Sequence, residues 1–312
     1  MHFTEFAHAV RSNVAQVIVG KSDVVDLLLV SLLVEGHVLL EDVPGIGKTT
    51  LAKALARSLA CSFARIQFTP DLLPSDVTGM SFYNQKTLDF EFRPGPILSQ
   101  IVLADEINRA TPRTQSSLLE AMQEQQITVD GVTYRLPRPF LVIATQNPIE
   151  LEGTFPLPEA QMDRFLMQVA LGYPSLEEEE ELLLRYQQHD PLDGLAPVIT
   201  TDAVAGLQDQ VRQVHVSDDV RHYILEVVRT TREHASVSLG VSPRGSLALF
   251  RASQAFAAIK GRDFVVPSDV QTLCPPVLTH RVHISPQVRL RGRTPRQVVE
   301  EIIEAVPVPV VG

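Results

Sequence analysis

Residues 41–50, EDVPGIGKTT, are the part of the sequence that most constrains the fold. The pattern G-x-x-x-x-G-K-[ST] describes loops that bind phosphate through backbone N–H groups, between a strand and a helix. Gly47, Lys48 and Thr49 fill the last three positions, whereas Asp42 stands where the first glycine is expected. Because Asp tolerates left-handed backbone better than most residues, we expect its backbone to follow the loop. We expect its carboxylate to face away from the phosphates.

The sequence on either side of this loop has the pattern that the loop requires. Residues 37–40, HVLL, predict a buried strand, and the next helix is indicated by apolar residues at every fourth position, Leu51, Leu55 and Leu59. Two further apolar runs, at residues 100–104 (QIVLA) and 140–145 (FLVIAT), alternate with helical patterns. Strands that alternate with helices predict an α/β fold with a parallel sheet and helices on both faces.

Composition limits the classes of protein that this chain can belong to. Its 312 residues are 45% hydrophobic, enough for a sizeable core and about two domains. The net charge of −10 argues against a nucleic-acid partner. Two distant cysteines, Cys61 and Cys274, suit a reducing cytoplasm. The amino terminus predicts an amphipathic helix rather than a signal peptide, and no apolar run approaches the ~20 residues of a membrane span.

The pattern changes near Tyr173, after which helices and turns predominate. We therefore predict an α/β domain over residues 1–172 and a small all-α domain over residues 173–312. Ser175 and Glu178 have the spacing of a capping box, which predicts the first helix of the second domain.

Two pairs of residues have the chemistry that a nucleotide site needs. Lys48 is expected to reach the β- and γ-phosphates, and Thr49 to ligate Mg²⁺. The run IVLADEINRA places Asp105 and Glu106 directly after a predicted strand. An Asp at this position supplies a second Mg²⁺ contact in phosphate-loop enzymes, and an adjacent Glu can polarise an attacking water. Together these residues predict hydrolysis of a nucleoside triphosphate.

Hydrolysis also requires groups that stabilise charge at the γ-phosphate. Asn147 follows the strand predicted at residues 140–145, while Arg164 and Arg244 occur in LPEAQMDRFL and LGVSPRGSL. Taken alone, either arginine is more typical of a surface residue than of a catalytic one. As a set, the three match what a phosphoryl-transfer site requires, so we expect them to act in catalysis.

These motifs together resemble the AAA+ ATPases and, within them, the MoxR group of the helix-2-insert branch. The resemblance covers about residues 17–296 and is most specific in GHVLLEDVPGIGKTTLAKALA, VLADEINRATPRTQSSLLEAMQE, VIATQNPIELEGTFPLPEAQMDRFL and SPRGSLAL. It implies a P-loop AAA+ domain followed by a helical lid, with ATP or ADP and Mg²⁺ as cofactors. It also implies a cytoplasmic hexameric ring that remodels or matures partner proteins, often ones with a von Willebrand factor A domain.

The resemblance implies a role for each candidate residue. Lys48 and Thr49 correspond to Walker A, and Asp105 and Glu106 to Walker B. Asn147 corresponds to sensor 1, Arg164 to the arginine finger and Arg244 to sensor 2. The implied metal ligands are Thr49 and Asp105. The implied nucleotide contacts lie in the turn IVGK and in the loop, at Val19, Gly20, Val43, Pro44, Gly45, Ile46, Gly47, Lys48, Thr49 and Thr50.

Two segments of the first domain predict hairpins. Residues 126–136, QITVDGVTYRL, alternate apolar and polar side chains around Asp130 and Gly131, which indicate a tight turn. About residues 80–95, including SFYNQKTLDFEFRPG, predict a second strand pair. In the branch that the chain resembles, these are the pre-sensor-1 hairpin and the helix-2 insert, and both project from the ring. Contact with a substrate and a packing role alone both remain open for them.

Residues 281–296, RVHISPQVRLRGRTPR, contain five arginines and no acidic residue. Because the rest of the chain is acidic, they predict a solvated basic surface or a subunit contact rather than a nucleic-acid site. The nearby pair His280 and His283 lacks a third ligand, so we expect no metal there.

Three other functions remain open from the sequence. The chain could be a motor for inserting a metal into a cofactor, a nucleic-acid helicase, or a regulatory scaffold that binds ATP to assemble. The acidic charge balance opposes the helicase, while Glu106 and Asn147 argue against a scaffold that barely hydrolyses ATP. The sequence does not say whether Arg244 acts within its own subunit or across an interface.

Overall fold

The computed structural model describes residues 2–147 and 153–309. The elements of the first part are α1 (Phe3–Val14), α2 (Ser22–Leu33), β1 (Val38–Glu41), α3 (Lys48–Ser58), β2 (Phe63–Gln67), α4 (Pro74–Thr78), β3 (Gly79–Asn84), β4 (Asp89–Pro94), β5 (Ile101–Asp105), α5 (Pro112–Glu124), β6 (Gln126–Val129), β7 (Val132–Arg135), β8 (Leu141–Gln146), α6 (Glu159–Met162) and β9 (Met167–Val169). The second part contains α7 (Leu176–Arg185), α8 (Thr201–Gln210), α9 (Asp218–Glu233), β10 (Val237–Leu239), α10 (Pro243–Ile259), α11 (Pro267–Leu278), β11 (His283–Ile284), α12 (Pro286–Leu290) and α13 (Pro295–Ala305).

Five strands form a parallel sheet in the order β2-β5-β8-β1-β9. Alternate side chains of β5 enter different apolar layers, with Ile101 and Leu103 on one face and Val102 and Ala104 on the other. Apolar residues are tolerated on both faces because helices cover the sheet on both sides. The predicted α/β class is therefore confirmed, and so are the strands predicted before the loop and at residues 100–104 and 140–145.

The carboxyl ends of parallel strands share one edge of the sheet, and this edge positions the candidate site. β1 leads into the 41–50 loop, β5 ends at Asp105, and Asn147 directly follows β8. The register pairs Ala104 of β5 with Ala144 of β8. The residues that follow them, Asp105 and Thr145, therefore also lie side by side. Segments far apart in the sequence thereby meet at one place.

The C-terminal part is a helical lid, as predicted, and it packs directly on the N-terminal helices. α10 contacts α1 and α2, while α11 contacts β9. The capping box predicted at Ser175 and Glu178 is present at the start of α7. One feature was not predicted from the helical pattern: β10 and β11 form a short antiparallel pair.

Two hairpins extend from the α/β part. β3 pairs with β4, and β6 pairs with β7 around the predicted turn, where Asp130 and Gly131 both have positive φ. The rings of Phe92 and Tyr134 stack with centroids 4.1 Å apart and so join the two hairpins. On the β3–β4 hairpin, aromatic and aliphatic side chains are exposed, among them Met80, Phe82, Tyr83, Leu88 and Phe90.

No helix in the described ranges is long and apolar enough to cross a lipid bilayer.

Candidate functional site

The 41–50 loop has the backbone of an anion-binding turn. Gly45 and Gly47 have φ values of 84° and 91°, and a Cβ at either position would meet no atom within 4 Å. Their requirement for glycine is therefore conformational, because residues with a side chain rarely adopt such φ values. α3 begins at Lys48, so its free N–H groups and the positive end of its dipole face the loop.

Asp42 connects the loop to the end of β9. Its carboxylate accepts hydrogen bonds from the backbone N–H groups of Leu171 and Gly172, the latter at 3.3 Å from Oδ2. Its carbonyl oxygen accepts a hydrogen bond from Lys48 Nζ at 2.8 Å. The Asp42 carboxylate thus accepts hydrogen bonds from groups outside the 41–50 loop. We expected from the sequence that it would face away from bound phosphate.

One cavity of about 390 Å³ brings together most of the predicted catalytic and metal-binding residues. It is lined by Pro44, Gly45, Gly47, Lys48, Thr49, Thr50, Asp105, Glu106 and Asn147. Arg65 and Gln67, from the edge strand β2, complete the lining. The Thr49 hydroxyl and the Asp105 carboxylate are hard oxygen ligands of the kind that Mg²⁺ takes, so the cavity fits that ion together with an anionic nucleotide.

Hydrogen bonds from neighbouring strands hold Asp105 in place. Thr145 Oγ1 donates to Asp105 Oδ1 at 2.6 Å, and Arg65 donates to Oδ2 from Nε at 3.0 Å and from Nη2 at 2.6 Å. The Asp105 side chain is 13% exposed and that of Arg65 is 46% exposed. A guanidinium that solvent can reach therefore lies against one oxygen of the candidate metal ligand.

Glu106 is fixed from both its backbone and its side chain. It has φ 56° and ψ 51°, a left-handed conformation that is uncommon for a residue with a Cβ. Its N–H donates to Thr145 Oγ1 at 2.8 Å. Its Oε2 accepts from Gln67 Nε2 at 2.9 Å and lies 3.2 Å from Arg109 Nε. Strained conformations of this kind often mark functional positions.

Sequence reasoning did not find Arg65, Gln67 or Thr145. Arg65 and Gln67 are two residues apart on β2, so their side chains share a face, and Gln67 pairs in register with Asp105. Thr145 ends the strand predicted at residues 140–145, and that position was the available signal for it. No strand was predicted at β2, so Arg65 and Gln67 gave no such signal. Which strand lies beside β5 is a matter of topology that periodicity does not reveal.

A second cavity of about 520 Å³ adjoins the first and shares Pro44, Gly45, Gly47 and Thr50 with it. Its walls include Ile46, the turn residues Ile18, Val19 and Lys21, and Tyr173, Leu182 and Tyr186 near α7. Gly20 has φ 70°, and a Cβ there would overlap the Glu178 carboxylate, which also lies 3.5 Å from Lys21 Nζ. This mostly apolar cavity has the character expected of a base and ribose pocket beside a phosphate site.

Arg164 and Arg244 line neither cavity. Asp163, which precedes Arg164, accepts a hydrogen bond from Ser242 Oγ at 2.9 Å. Ser242 caps the helix whose first turn contains Arg244. The segments that contain the two predicted arginines are therefore in contact, while neither arginine lines the cavities beside the phosphate loop. Arg244 Nη2 donates to Gln123 Oε1 at 3.2 Å.

The 281–296 segment is not uniformly the solvated basic surface that its composition predicted. Arg281 is 5% exposed and donates to Asp163 Oδ1 at 2.7 Å, so for this residue the prediction was wrong. Burial lowers the pKa of Arg281, and Asp163 opposes that effect. His280 Nε2 lies 3.2 Å from the Phe165 carbonyl, and His283 Nδ1 lies 3.3 Å from Glu159. Within the described ranges, no group of three or more His, Cys, Asp or Glu side chains could hold a metal.

Comparison with known proteins gives consistent matches over almost the whole chain. Residues 37–167 match the ATPase family associated with various cellular activities (AAA), and residues 229–302 match the AAA lid domain. The chain is 54% identical to the uncharacterized protein YeaC of Bacillus subtilis, over 96% of this chain and 93% of that one. It is 41% identical to Chaperone MoxR1 of Mycobacterium tuberculosis, over 95% of this chain and 81% of that one. A crystal structure of an inferred ATPase from Cytophaga hutchinsonii superposes with a TM-score of 0.93 at 38% identity, covering 99% of this chain and 96% of that one.

Proposed function

The chain belongs to the MoxR family of AAA ATPases, and from this premise we propose that it hydrolyses Mg²⁺-bound ATP to ADP and phosphate. One observation carries the proposal: Lys48, Thr49, Asp105 and Glu106 line a single cavity beside a glycine-rich helix N-terminus. An anion-binding turn, a cation that can reach phosphate, two oxygen ligands and a carboxylate base are the parts that phosphoryl transfer requires.

In this proposal, the loop N–H groups and Lys48 bind the phosphates, and the 520 Å³ cavity takes the base and ribose. Thr49 and Asp105 would hold Mg²⁺, which would neutralise charge on the β- and γ-phosphates. Val19 would contact the base through the second cavity. Gly20 would keep the turn around Val19 close to α7, since a larger residue there would collide with Glu178.

Glu106 is our candidate for the residue that orients and polarises the attacking water. Thr145 fixes its backbone N–H, while Gln67 and Arg109 hold its carboxylate, which favours a pre-organised base. Asn147 is buried at the end of β8 and lines the same cavity, where its amide would contact the γ-phosphate or the water.

We propose that Arg164 and Arg244 act on the ATP site of a neighbouring subunit. Neither arginine lines the cavities beside the loop of its own chain, which supports this arrangement, as does the hydrogen bond between Asp163 and Ser242 that links their segments. An arginine supplied by a neighbour accelerates hydrolysis by ~10³–10⁵ in related NTPases. Hydrolysis would then require assembly, for which we propose a homo-oligomeric, hexameric ring.

We further propose that the ring is a cytoplasmic, chaperone-like machine that remodels a partner protein. A relative with 41% identity is named a chaperone, and the β3–β4 hairpin exposes an apolar surface suited to protein contact. We propose that the client is a protein with a von Willebrand factor A domain. We expect no nucleic-acid partner.

Turnover and binding assays on three variants test the ATPase proposal. Lys48→Ala should abolish ATP binding, because it removes the cation that reaches the phosphates. Glu106→Gln should bind ATP and assemble but not turn it over. Arg164→Ala should bind ATP as an isolated protomer yet be inactive when assembled. Parental turnover by Arg164→Ala would refute its role, and parental turnover by Glu106→Gln would refute the assignment of the base.

Capture experiments test the client. The Glu106→Gln variant, held in the ATP-bound state, should retain its partner through purification, whereas Lys48→Ala should not. Stimulation of ATP turnover by DNA would contradict the protein-remodelling proposal and support a helicase instead.

A further inference from the structure

Arg281 is a buried arginine whose hydrogen bonds go to the turn that contains Arg164 and to the Val277 carbonyl of the adjacent helix α11. Its guanidinium donates from Nε to Asp163 Oδ1 at 2.7 Å and from Nη2 to the carbonyl oxygens of Asp163 and Phe165 at 3.2 and 2.6 Å. These two residues flank Arg164 in the sequence. Nη1 donates to the Leu166 carbonyl at 3.0 Å. The backbone on both sides of Arg164 is therefore attached to one guanidinium group.

The aliphatic part of Arg281 packs against the turn that contains Arg244. A Cβ at Gly245 would lie 3.0 Å from Arg281 Cδ, so the first turn of α10 approaches the arginine as closely as a glycine allows. Ser242, the N-cap of the same helix, donates to the second oxygen of Asp163. Arg281 and Asp163 thus form a single, partly buried connection between the two arginine-bearing turns.

Few contacts restrain the side chains of Arg164 and Arg244. Arg244 makes one exposed hydrogen bond, to Gln123. Within the described part of the chain, the Arg164 guanidinium makes no hydrogen bond. Their direction is therefore set mainly by the backbone from which they extend. A shift of that backbone by about 1 Å would displace both from a bound γ-phosphate, and misplacements of this size cost ~10²-fold in rate.

We propose that Arg281 is a positioning residue that fixes Arg164 and Arg244 in one arrangement for the ATP site of the neighbouring subunit. This inference rests on the proposed function, since it requires the two arginines to act across an interface. The planar fork of Arg281 suits the role because it bonds several acceptors in fixed directions, which lysine cannot do. Arg281 itself need not touch the nucleotide.

A complementation assay separates positioning from a general loss of structure. Arg281→Met rings should lose roughly 10²-fold in ATP turnover, with ATP affinity unchanged within about twofold because their own phosphate loop is intact. Glu106→Gln rings are inactive but retain well-placed arginines. Mixed rings should regain turnover, since each Glu106→Gln subunit offers its arginines to the intact Glu106 of an Arg281→Met neighbour.

Arg262→Met is the matched control. Arg262 donates to Asp269 Oδ1 and Oδ2 at 2.6 and 2.7 Å, a similar arginine–aspartate pair in the lid that touches neither arginine-bearing turn. Its rings should keep turnover close to the parental value. If Arg281→Met does not fold, Ser242→Ala takes its place, because it removes the hydrogen bond from Ser242 to Asp163. Ser242→Ala rings should lose ATP turnover, and mixing with Glu106→Gln subunits should restore it.

The outcomes distinguish this inference from the function on which it rests. Arg164→Ala mixed with Glu106→Gln should also regain turnover; if it does not, action across the interface is wrong and the Arg281 proposal fails with it. If that mixture recovers but the Arg281→Met mixture does not, the Arg281 defect lies within its own subunit and positioning is refuted. Parental turnover by Arg281→Met, or by Ser242→Ala where that variant is needed, would also overturn the proposal.

Discussion

The hydroxyl of Thr145 donates a hydrogen bond to Asp105 Oδ1 at 2.6 Å, across the boundary between β8 and β5. The Thr145 hydroxyl oxygen also accepts a hydrogen bond from the N–H of Glu106 at 2.8 Å. One buried hydroxyl therefore orients the proposed metal ligand and the proposed base together. It can do both because a hydroxyl is a donor and an acceptor at once.

Replacing Thr145 by Val should damage the site without changing its shape. Val has nearly the same volume but leaves Asp105 Oδ1 without its donor and the Glu106 N–H without an acceptor. We expect turnover to fall roughly 10- to 100-fold, since misplacement of reacting groups by about 1 Å has effects of this order. Steady-state ATP turnover measures the loss. Thr145→Ser keeps the hydroxyl and should retain most activity; an equal loss in both variants would contradict the proposed role of the hydroxyl.

Arg65 should compete with Mg²⁺ for Asp105. Its guanidinium lies 2.6 Å from Oδ2, so it must release or share that oxygen when the ion binds. The pair is partly exposed and is worth up to about 1 kcal/mol, which corresponds to a shift of roughly two- to fivefold. Arg65→Ala should therefore reach half-maximal ATP binding at a Mg²⁺ concentration lower by that factor.

Titration of Mg²⁺ against binding of a fluorescent ATP analogue provides the test of Arg65. Arg135→Ala, on the exposed strand β7, is a control that removes the same charge outside the cavity. An unchanged or higher Mg²⁺ requirement in Arg65→Ala would show that the guanidinium does not compete and instead assists the metal site.

The parts of the site that the sequence predicted are those encoded locally. Gly47, Lys48 and Thr49 are consecutive, and Asp105 and Glu106 follow a recognisable apolar run, so spacing alone identifies them. Arg65 and Thr145 belong to the site because β2 and β8 flank β5, and strand order is a long-range property of the fold. Local pattern carries no information on which strands become neighbours.

The burial of Arg281 could not be predicted for the same reason. It occurs among four other arginines without a nearby acid, a composition typical of exposed segments. Its partner Asp163 is 118 residues away and becomes adjacent only when the lid packs on the α/β part. A buried charge requires its partner, and the partner is visible only in the tertiary structure.

Asp42 provides a test in which restoring the sequence motif should harm the protein. Asp42→Gly places glycine at the position the phosphate-loop pattern expects, but removes the acceptor for the N–H groups of Leu171 and Gly172. The free energy of unfolding should fall by roughly 1.5 kcal/mol, the low end of the range for hydrogen bonds to charged groups, because the carboxylate is only half-buried. Urea unfolding measures the change. Asp42→Asn keeps an acceptor oxygen and should lose less; an Asp42→Gly variant as stable as the parent would contradict this role.

His37 should make the stability of the fold depend on pH. It is buried, its Nδ1 accepts the Val142 N–H at 3.1 Å, and its Nε2 lies 3.1 Å from the Met122 carbonyl. Burial lowers the pKa of His37 from 6.5 to about 4, although the Met122 carbonyl opposes this. Protonation would also require a proton on Nδ1, the atom that accepts from Val142. The folded chain therefore keeps His37 neutral between pH 6.5 and 4, while the unfolded chain binds a proton.

The free energy of unfolding should consequently be highest above pH 6.5 and fall towards pH 4, by at most about 1.4 kcal/mol per pH unit from this residue. His37→Gln can still accept from Val142 and donate to Met122 but does not titrate. Urea unfolding at pH 7 and pH 5 should therefore show a loss on acidification that is smaller by roughly 2 kcal/mol in the variant. His222→Gln, at an exposed position on α9, serves as the control and should behave like the parent. If His37→Gln and the parent lose equal stability between these pH values, His37 does not stay neutral in the folded chain.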